Sequence, residues 1–242
     1  MSKMAFSSID VAMRHLLDRI MTHGTESSPR GKKVRELIGE SITVNMLAPI
    51  VTFPTRDIGY RFYAAEAHWI LAGRNDLDYF RDLGMKFIWE FSDDGFFYNG
   101  AYGPRVIDQL TYVCDLLADD HDTRQAIIEV WRSNPRPSRD IPCTISYQFI
   151  ARGGKLHCVQ NMRSSDGWLG YPYDVFNAAM LTNYVILLLR DRLTRGRKGL
   201  VPGNHTMNIG SSHVYEPQWE KALAFVDDHR ACVYEPIVPE SF

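Results

Sequence analysis

The stretch that decides the fold is Asp140–Asp174, D-I-P-C-T-I-S-Y-Q-F-I-A-R-G-G-K-L-H-C-V-Q-N-M-R-S-S-D-G-W-L-G-Y-P-Y-D. Cys143 follows a proline and opens a run that alternates as a strand does. Ile145, Tyr147 and Phe149 fall on one face, Ser146 and Gln148 on the other. Gly153-Gly154 interrupts the run where a hairpin turn belongs, and Leu156–Gln160 reads as the returning strand. Polar residues then crowd together: Gln160, Asn161, Arg163, Ser164 and Asp166, ahead of Gly170-Tyr171-Pro172-Tyr173-Asp174. A thiol at one strand end, with an arginine, a serine and two carboxylates one hairpin away, suits an anionic, hydrogen-bonding ligand. The residues alone leave a plainer alternative open: a small buried cysteine beside a solvated loop.

The strings P-C-T, Q-N-M-R-S-S-D and L-G-Y-P-Y-D-V-F-N-A-A-M-L-T, in that order, resemble the thymidylate synthase superfamily. Among its branches they look most like the phage deoxycytidylate hydroxymethylases. The agreement runs from about Arg30 to Tyr215. It implies an α/β (α+β) fold in one catalytic domain, 1–242, with a large mixed or antiparallel sheet flanked by helices and a homodimer formed through the sheet. It implies 5,10-methylenetetrahydrofolate as the one-carbon donor and a nucleotide as the acceptor. By resemblance the protein is phage-encoded and works in the host cytoplasm.

Composition is consistent with this. The chain has 242 residues, 45% of them hydrophobic, enough for one sizeable core, and no linker or repeat divides it. A formal charge of -2 gives no polyanion-binding surface, so direct nucleic-acid binding is not expected. Cys114, Cys143, Cys158 and Cys232 have neither metal-ligand spacing nor a disulfide framework. No membrane span is expected, since Val185–Leu189 is short and charge follows at once; Arg190–Lys198 reads as a solvated helix end. The sequence reads as a reduced, soluble, intracellular protein.

Upstream, apolar spacing predicts a helix over Ser7–Met21, capped by Ser8 or Asp10, and a strand over Val34–Val44. Helices are predicted over Arg61–Ala72, ending at Gly73, over Asp108–Leu117 and over Val175–Leu189; Ala126–Trp131 reads as a buried strand. The resemblance assigns roles along this path. In the loop Gly24–Lys33 the family's phosphate-closing cation falls on Pro29 in a gapless match, so Arg30 is the candidate with Lys33 in reserve. Glu66, in E-x-x-W-x-L-x-G, matches the acid that organises water and proton transfers around the base. Burial would raise it toward neutrality. Trp89 matches the family's folate-site tryptophan, and Tyr102 the tyrosine near the substrate's C5. Arg124, in D-T-R-Q, matches one of two arginines that reach the partner's phosphate site; the second is Gln125 here, with Arg132 or Arg136 as substitutes. His213 and Tyr215, in G-S-S-H-V-Y, match the pair on the ribose 3′-hydroxyl. No closing residue is assigned after Tyr215.

In the central stretch, Cys143 is the expected nucleophile at the pyrimidine C6, which makes C5 enamine-like. A free thiol ionises little at neutral pH, so Arg163 is expected to favour the thiolate and to bind phosphate with Ser164. Asp166 is expected to orient the base and reach the folate. Asp174 stands where the synthases carry asparagine. A carboxylate there accepts from the cytosine N4 amino group, stabilises a proton on N3, and faces uracil's O4 oxygen to oxygen. Its plainer reading is a helix N-cap. The expected reaction is therefore dCMP hydroxymethylation, with C5 methylation of dCMP, hydroxymethylation of CMP or dUMP, and a non-catalytic nucleotide binder as alternatives. Resemblance to the hydroxymethylase branch, in Thr144 where the synthases carry histidine and in the N-M-R-S-S-D and G-S-S-H-V-Y strings, implies capture of the methylene by water and not by hydride. A Cys143–His213–Asp166 hydrolase is the rival enzyme class.

Overall fold

The computed structural model describes residues 5–85, 90–190, 192 and 199–228. Six strands form one sheet: β1 (Thr25–Ser27), β2 (Val34–Asn45), β3 (Ile127–Glu129), β4 (Thr144–Arg152), β5 (Lys155–Asp166) and β6 (Val201–Tyr215), ordered β1-β2-β6-β5-β4-β3. Every neighbouring pair is antiparallel except β5 with β6. The helices are α1 (Ile9–His23), α2 (Tyr60–Leu71), α3 (Asp78–Asp82), α4 (Tyr102–Asp119), α5 (Tyr171–Arg190) and α6 (Trp219–Val226). This is the expected mixed sheet flanked by helices.

The central helix α5 packs on β5 and β6 and against α1, α2 and α4. Tyr171 and Val175 enter one buried cluster with α1, whereas Ala178, Val185 and Leu189 enter a second with α4 and β4. A helix apolar on most sides is stable only when covered this way. Ser8, not Asp10, caps α1, accepting from the Val11 N–H at 3.4 Å. Asp10 is buried instead, accepting from the N–H groups of Thr52 and Phe53.

Several predicted boundaries shift for local reasons. Helix α4 begins at Tyr102, six residues before the predicted start at Asp108, because Pro104 lies in the first turn, where no N–H is needed. Gly103 is required there: a Cβ would lie 2.6 Å from the Arg74 carbonyl oxygen. Gly153 and Gly154 both have positive φ, as a two-residue hairpin turn demands. The polar cluster after Gln160 is no loop; it is the second half of β5, paired with β4 as far as Met162 and with β6 as far as Asp166. The predicted face of β4 also fails at one position. Register shifts between Thr144 and Ser146, so Ile145 is turned out, 38% exposed, and its carbonyl accepts from both Val130 and Trp131. Ala126–Trp131 holds only the short edge strand β3, in which Ile128 is buried and Ile127 exposed.

The face of the sheet away from the helices carries a polar ladder. Ser41 donates to Asn208 Oδ1 (2.9 Å), Asn208 to Asn161 Oδ1 (3.1 Å) and Asn161 to Ser146 Oγ (3.0 Å), crossing β2, β6, β5 and β4. No described helix is long and apolar enough to cross a membrane.

Candidate active site

Cys143 sits at the mouth of β4, where the chain leaves Pro142 and enters the sheet. Beneath it lies a buried polar chain absent from the sequence expectations. His205 Nε2 meets Gln160 Oε1 at 2.9 Å, and the Gln160 amide donates to Thr144 Oγ1 (2.8 Å) and the Tyr147 hydroxyl (3.2 Å). The Thr144 N–H in turn donates to the Tyr102 hydroxyl at 3.1 Å. Burial pushes His205 down to about 3, so its ring stays neutral. These bonds fix the backbone on the C-terminal side of Cys143.

Arg163 fixes the other side. Its Nε and terminal nitrogen donate to the carbonyls of Pro142 and Ile141, both at 3.0 Å, and its second terminal nitrogen donates to Ser164 Oγ at 3.1 Å. The guanidinium fork therefore clamps the Cys143 loop and is not wholly free for a phosphate. Ser164 Oγ lies 3.9 Å from Cys143 Sγ. Arg163 acts on the thiol in the expected direction but does not outweigh burial. Burial raises the thiol pKa, and Arg163 and Ser164 offset that only in part.

A cavity of about 280 Å³ adjoins the thiol, lined by Glu66, Asn177, Asp174, Tyr102 and Asp140, with aromatic walls that include Phe62 and Phe80. Cys143 does not line it, but Tyr102 and Asp174, which do, interact electrostatically with the thiol. Glu66 comes from α2 and Asp174 from the first turn of α5, past the position an N-cap would occupy. Asn177 follows one helical turn later and donates to Glu66 Oε2 at 2.8 Å. Its role was missed, although the i,i+3 spacing of Asp174 and Asn177 places both on one helix face. Glu66 is raised from 4.5 to about 7, chiefly by burial, with Asn177 opposing. Asp174 stands well above the carboxylate range through burial and the neighbouring Glu66, with Ser165 opposing. Raised in this way, the carboxyl disfavours the anion on which the expected oxygen-to-oxygen clash with uracil's O4 depends.

Glu66 also carries a stability signature. Below pH 4.5 it is protonated in folded and unfolded chains alike. Between 4.5 and 7 the folded protein keeps a proton the unfolded chain has released, so stability falls as pH rises; above 7 the penalty is complete, about 3 kcal/mol. Glu66→Gln should therefore raise the melting temperature at pH 8 by roughly 5–10 °C, and by much less at pH 5. Equal shifts at both pH values in a calorimetric scan would contradict the burial of this carboxyl.

The remaining expected residues divide into two groups. Asp166, His213 and Glu36 stand in one row across β5, β6 and β2. Asp166 Oδ1 accepts from the N–H groups of Trp168 (2.8 Å) and Leu169 (2.9 Å), while Oδ2 is buried without a partner. The His213 ring lies edge-on to Tyr215. Among the described residues His213 bonds neither Cys143 nor Asp166, so the hydrolase triad is not assembled. Arg30 and Arg124, by contrast, are exposed and away from the cavity. Lys33 is held by Glu26 and Glu216, whereas Arg30 has no ion pair among the described residues and sits in a left-handed turn at φ 55°. The geometry thus favours Arg30 over Lys33 as the cation available to a ligand. Trp89 lies outside the described residues.

The mixed sheet thus seats a thiol beside a cavity lined by enclosed acids. The family model described as thymidylate synthase matches residues 12–232, and the chain belongs to that family. Its class of reaction is folate-dependent one-carbon transfer to C5 of a pyrimidine nucleotide, and the family's cosubstrate is methylenetetrahydrofolate.

Proposed function

We propose that the protein hydroxymethylates dCMP: dCMP, 5,10-methylenetetrahydrofolate and water give 5-hydroxymethyl-dCMP and tetrahydrofolate. The observation that carries this reading is the Asp174 carboxyl, enclosed in the cavity with Glu66 and Tyr102, where burial disfavours its ionised form. A neutral carboxyl donates to cytosine N3 and accepts from the N4 amino group. When Cys143 adds at C6, N3 becomes more basic and takes the proton, leaving an amidinium–carboxylate pair that stabilises the adduct more than the ground state. Uracil pairs with the neutral acid but has no basic N3 to receive the proton, so it gains less as the adduct forms.

In this reading Cys143 is the nucleophile, Tyr102 holds the loop and faces C5, and Glu66 moves protons about the base at neutral pH. Ser164 and the remaining N–H donors of Arg163 receive the phosphate with Arg30, and His213 and Tyr215 receive the ribose. The residues suit a reduced folate: aromatic walls line the cavity, and Asp166 Oδ2 is a buried, unpartnered acceptor for a pterin N–H edge. Bound folate supplies the electrophilic carbon. Burial raises the thiol, so Arg163 alone does not account for its activation; the base's acceptance of a proton from Asp174 supplies the rest of the driving force. Chain 1–242 acts as one catalytic domain, in the cytoplasm of an infected cell.

The polar ladder on the open sheet face supports a homodimer formed through the sheet, with the exposed Arg124 serving the partner's phosphate site. Sedimentation should give twice the chain mass of 27.8 kDa; a monomer that is fully active would sink the shared-site part of the proposal. The reaction itself is tested by incubating the protein with dCMP, dUMP or CMP and methylenetetrahydrofolate and weighing the products. Gain of CH2O on dCMP alone supports the proposal. Gain of CH2 makes the protein a dCMP methylase, and preference for dUMP removes the role given to Asp174.

A further inference from the structure

Asp140 opens the loop that leads to Cys143, and its carboxyl reaches the same cavity as Glu66 and Asp174. Its place is built from both sides. Asp140 Oδ2 accepts from the Gly100 N–H, and its main-chain N–H donates to Ser138 Oγ at 3.0 Å. Gly100 permits the approach, since a Cβ there would lie 2.9 Å from Asp140 Oδ2. The carboxyl is near enough to Cys143 and Tyr98 to act on both electrostatically. Burial raises it, while Gly100, Arg105 and Arg163 draw it back toward the ionised form.

A second observation points into the same space. Asn177 is 8% exposed, lines the cavity, and uses its amide nitrogen on Glu66, yet its Oδ1 is buried with no partner. A buried amide oxygen of this kind needs a donor, and a cavity of this size and polarity holds water. Nothing in the one-carbon step assigned to Cys143, Glu66 and Asp174 uses either Asp140 or this oxygen.

We propose that Asp140 is a catalytic residue of the hydration step, holding against Asn177 Oδ1 the water that captures the one-carbon unit. The inference rests on the hydroxymethylation reading. After transfer, C5 carries an exocyclic methylene while Cys143 remains on C6. The water oxygen forms a bond to the methylene carbon, and its proton passes to the Asp140 carboxylate. The methylene electron pair moves into the ring, C5=C6 forms, and the C6–S bond breaks with its electrons returning to the Cys143 thiolate. One water is consumed, one proton is held by Asp140, and no oxidant or reductant is needed.

The test separates the water step from the thiol step. Thiol addition alone lets the C5 hydrogen of dCMP exchange with D2O in the absence of folate. Asp140→Asn keeps an acceptor for the Gly100 N–H, so the loop remains anchored. This variant should exchange C5–H within about threefold of wild type, while formation of 5-hydroxymethyl-dCMP falls about 100-fold, the usual loss for a general base. Asp140→Glu should recover part of the product rate. Equal losses in exchange and product would make Asp140 structural and overturn the proposal, as would a variant that hydroxymethylates normally. A wild-type protein that forms no CH2O product fails at the earlier reading, before Asp140 is in question.

Discussion

Cys143→Ser is expected to abolish product formation, with a loss of roughly 10⁴-fold or more, while nucleotide binding survives. A hydroxyl is far less acidic than a thiol and less nucleophilic toward C6, so C5 is never activated. The fold should tolerate the change. Cys143 is partly open, its Sγ contact is Ser164 Oγ at 3.9 Å, and the loop is held by main-chain and Arg163 bonds that the substitution leaves alone. Equilibrium dialysis with dCMP, run beside the product assay, checks both halves. Turnover that persists in the variant would remove the covalent mechanism, and a binding-only protein would show no turnover to lose.

The second large effect belongs to Asp174→Asn. The amide is nearly isosteric, and the change removes an ionisable group that burial and Glu66 disfavour in its charged form, so stability should hold or rise. Chemistry should change sharply. An amide donates to uracil's O4 and accepts from N3–H, but it has no proton to yield to cytosine N3 as the thiol adds. We expect kcat/KM for dCMP to fall about 10³-fold and dUMP to become the preferred acceptor, within the range measured where a polar group in a site built to hydrogen-bond is mismatched. Competition assays with equimolar dCMP and dUMP read this directly. A variant that still prefers dCMP would place base selection elsewhere in the site.

The second prediction depends on one physical feature, a pocket whose burial disfavours the ionised form of its acids. Burial raises both carboxyls and Glu66 raises Asp174 further, while hydrogen bonds from Asn177 to Glu66 and from Ser165 to Asp174 oppose the shifts. Such a pocket favours a base that can take up a proton during attack, which is the property that distinguishes cytosine from uracil at N3. It also makes the folded state pay for its chemistry in stability above neutral pH, the direction tested by Glu66→Gln.

Much of this protein was legible along the chain because its signals are local. Gly153-Gly154 turns a hairpin wherever it stands, since two successive positive φ angles exclude other residues. Period-two and period-3.6 patterns placed β4, β5, α1 and α5, and ordered strings around Cys143 and Asp174 carried the family. Tertiary structure decided what depends on residues far apart in sequence. The bulge that turns Ile145 outward arises from pairing with β5 and β3, and the extension of β5 through Ser164–Asp166 comes from its parallel pairing with β6. Whether Arg163 meets a phosphate or its own loop depends on carbonyls 21 and 22 residues away. Asn177 and Asp140 became visible only when α2, α5 and the Cys143 loop closed around one cavity. The pKa values follow the same division: a carboxyl's identity is written in the sequence, but its proton affinity is set by what the fold packs around it.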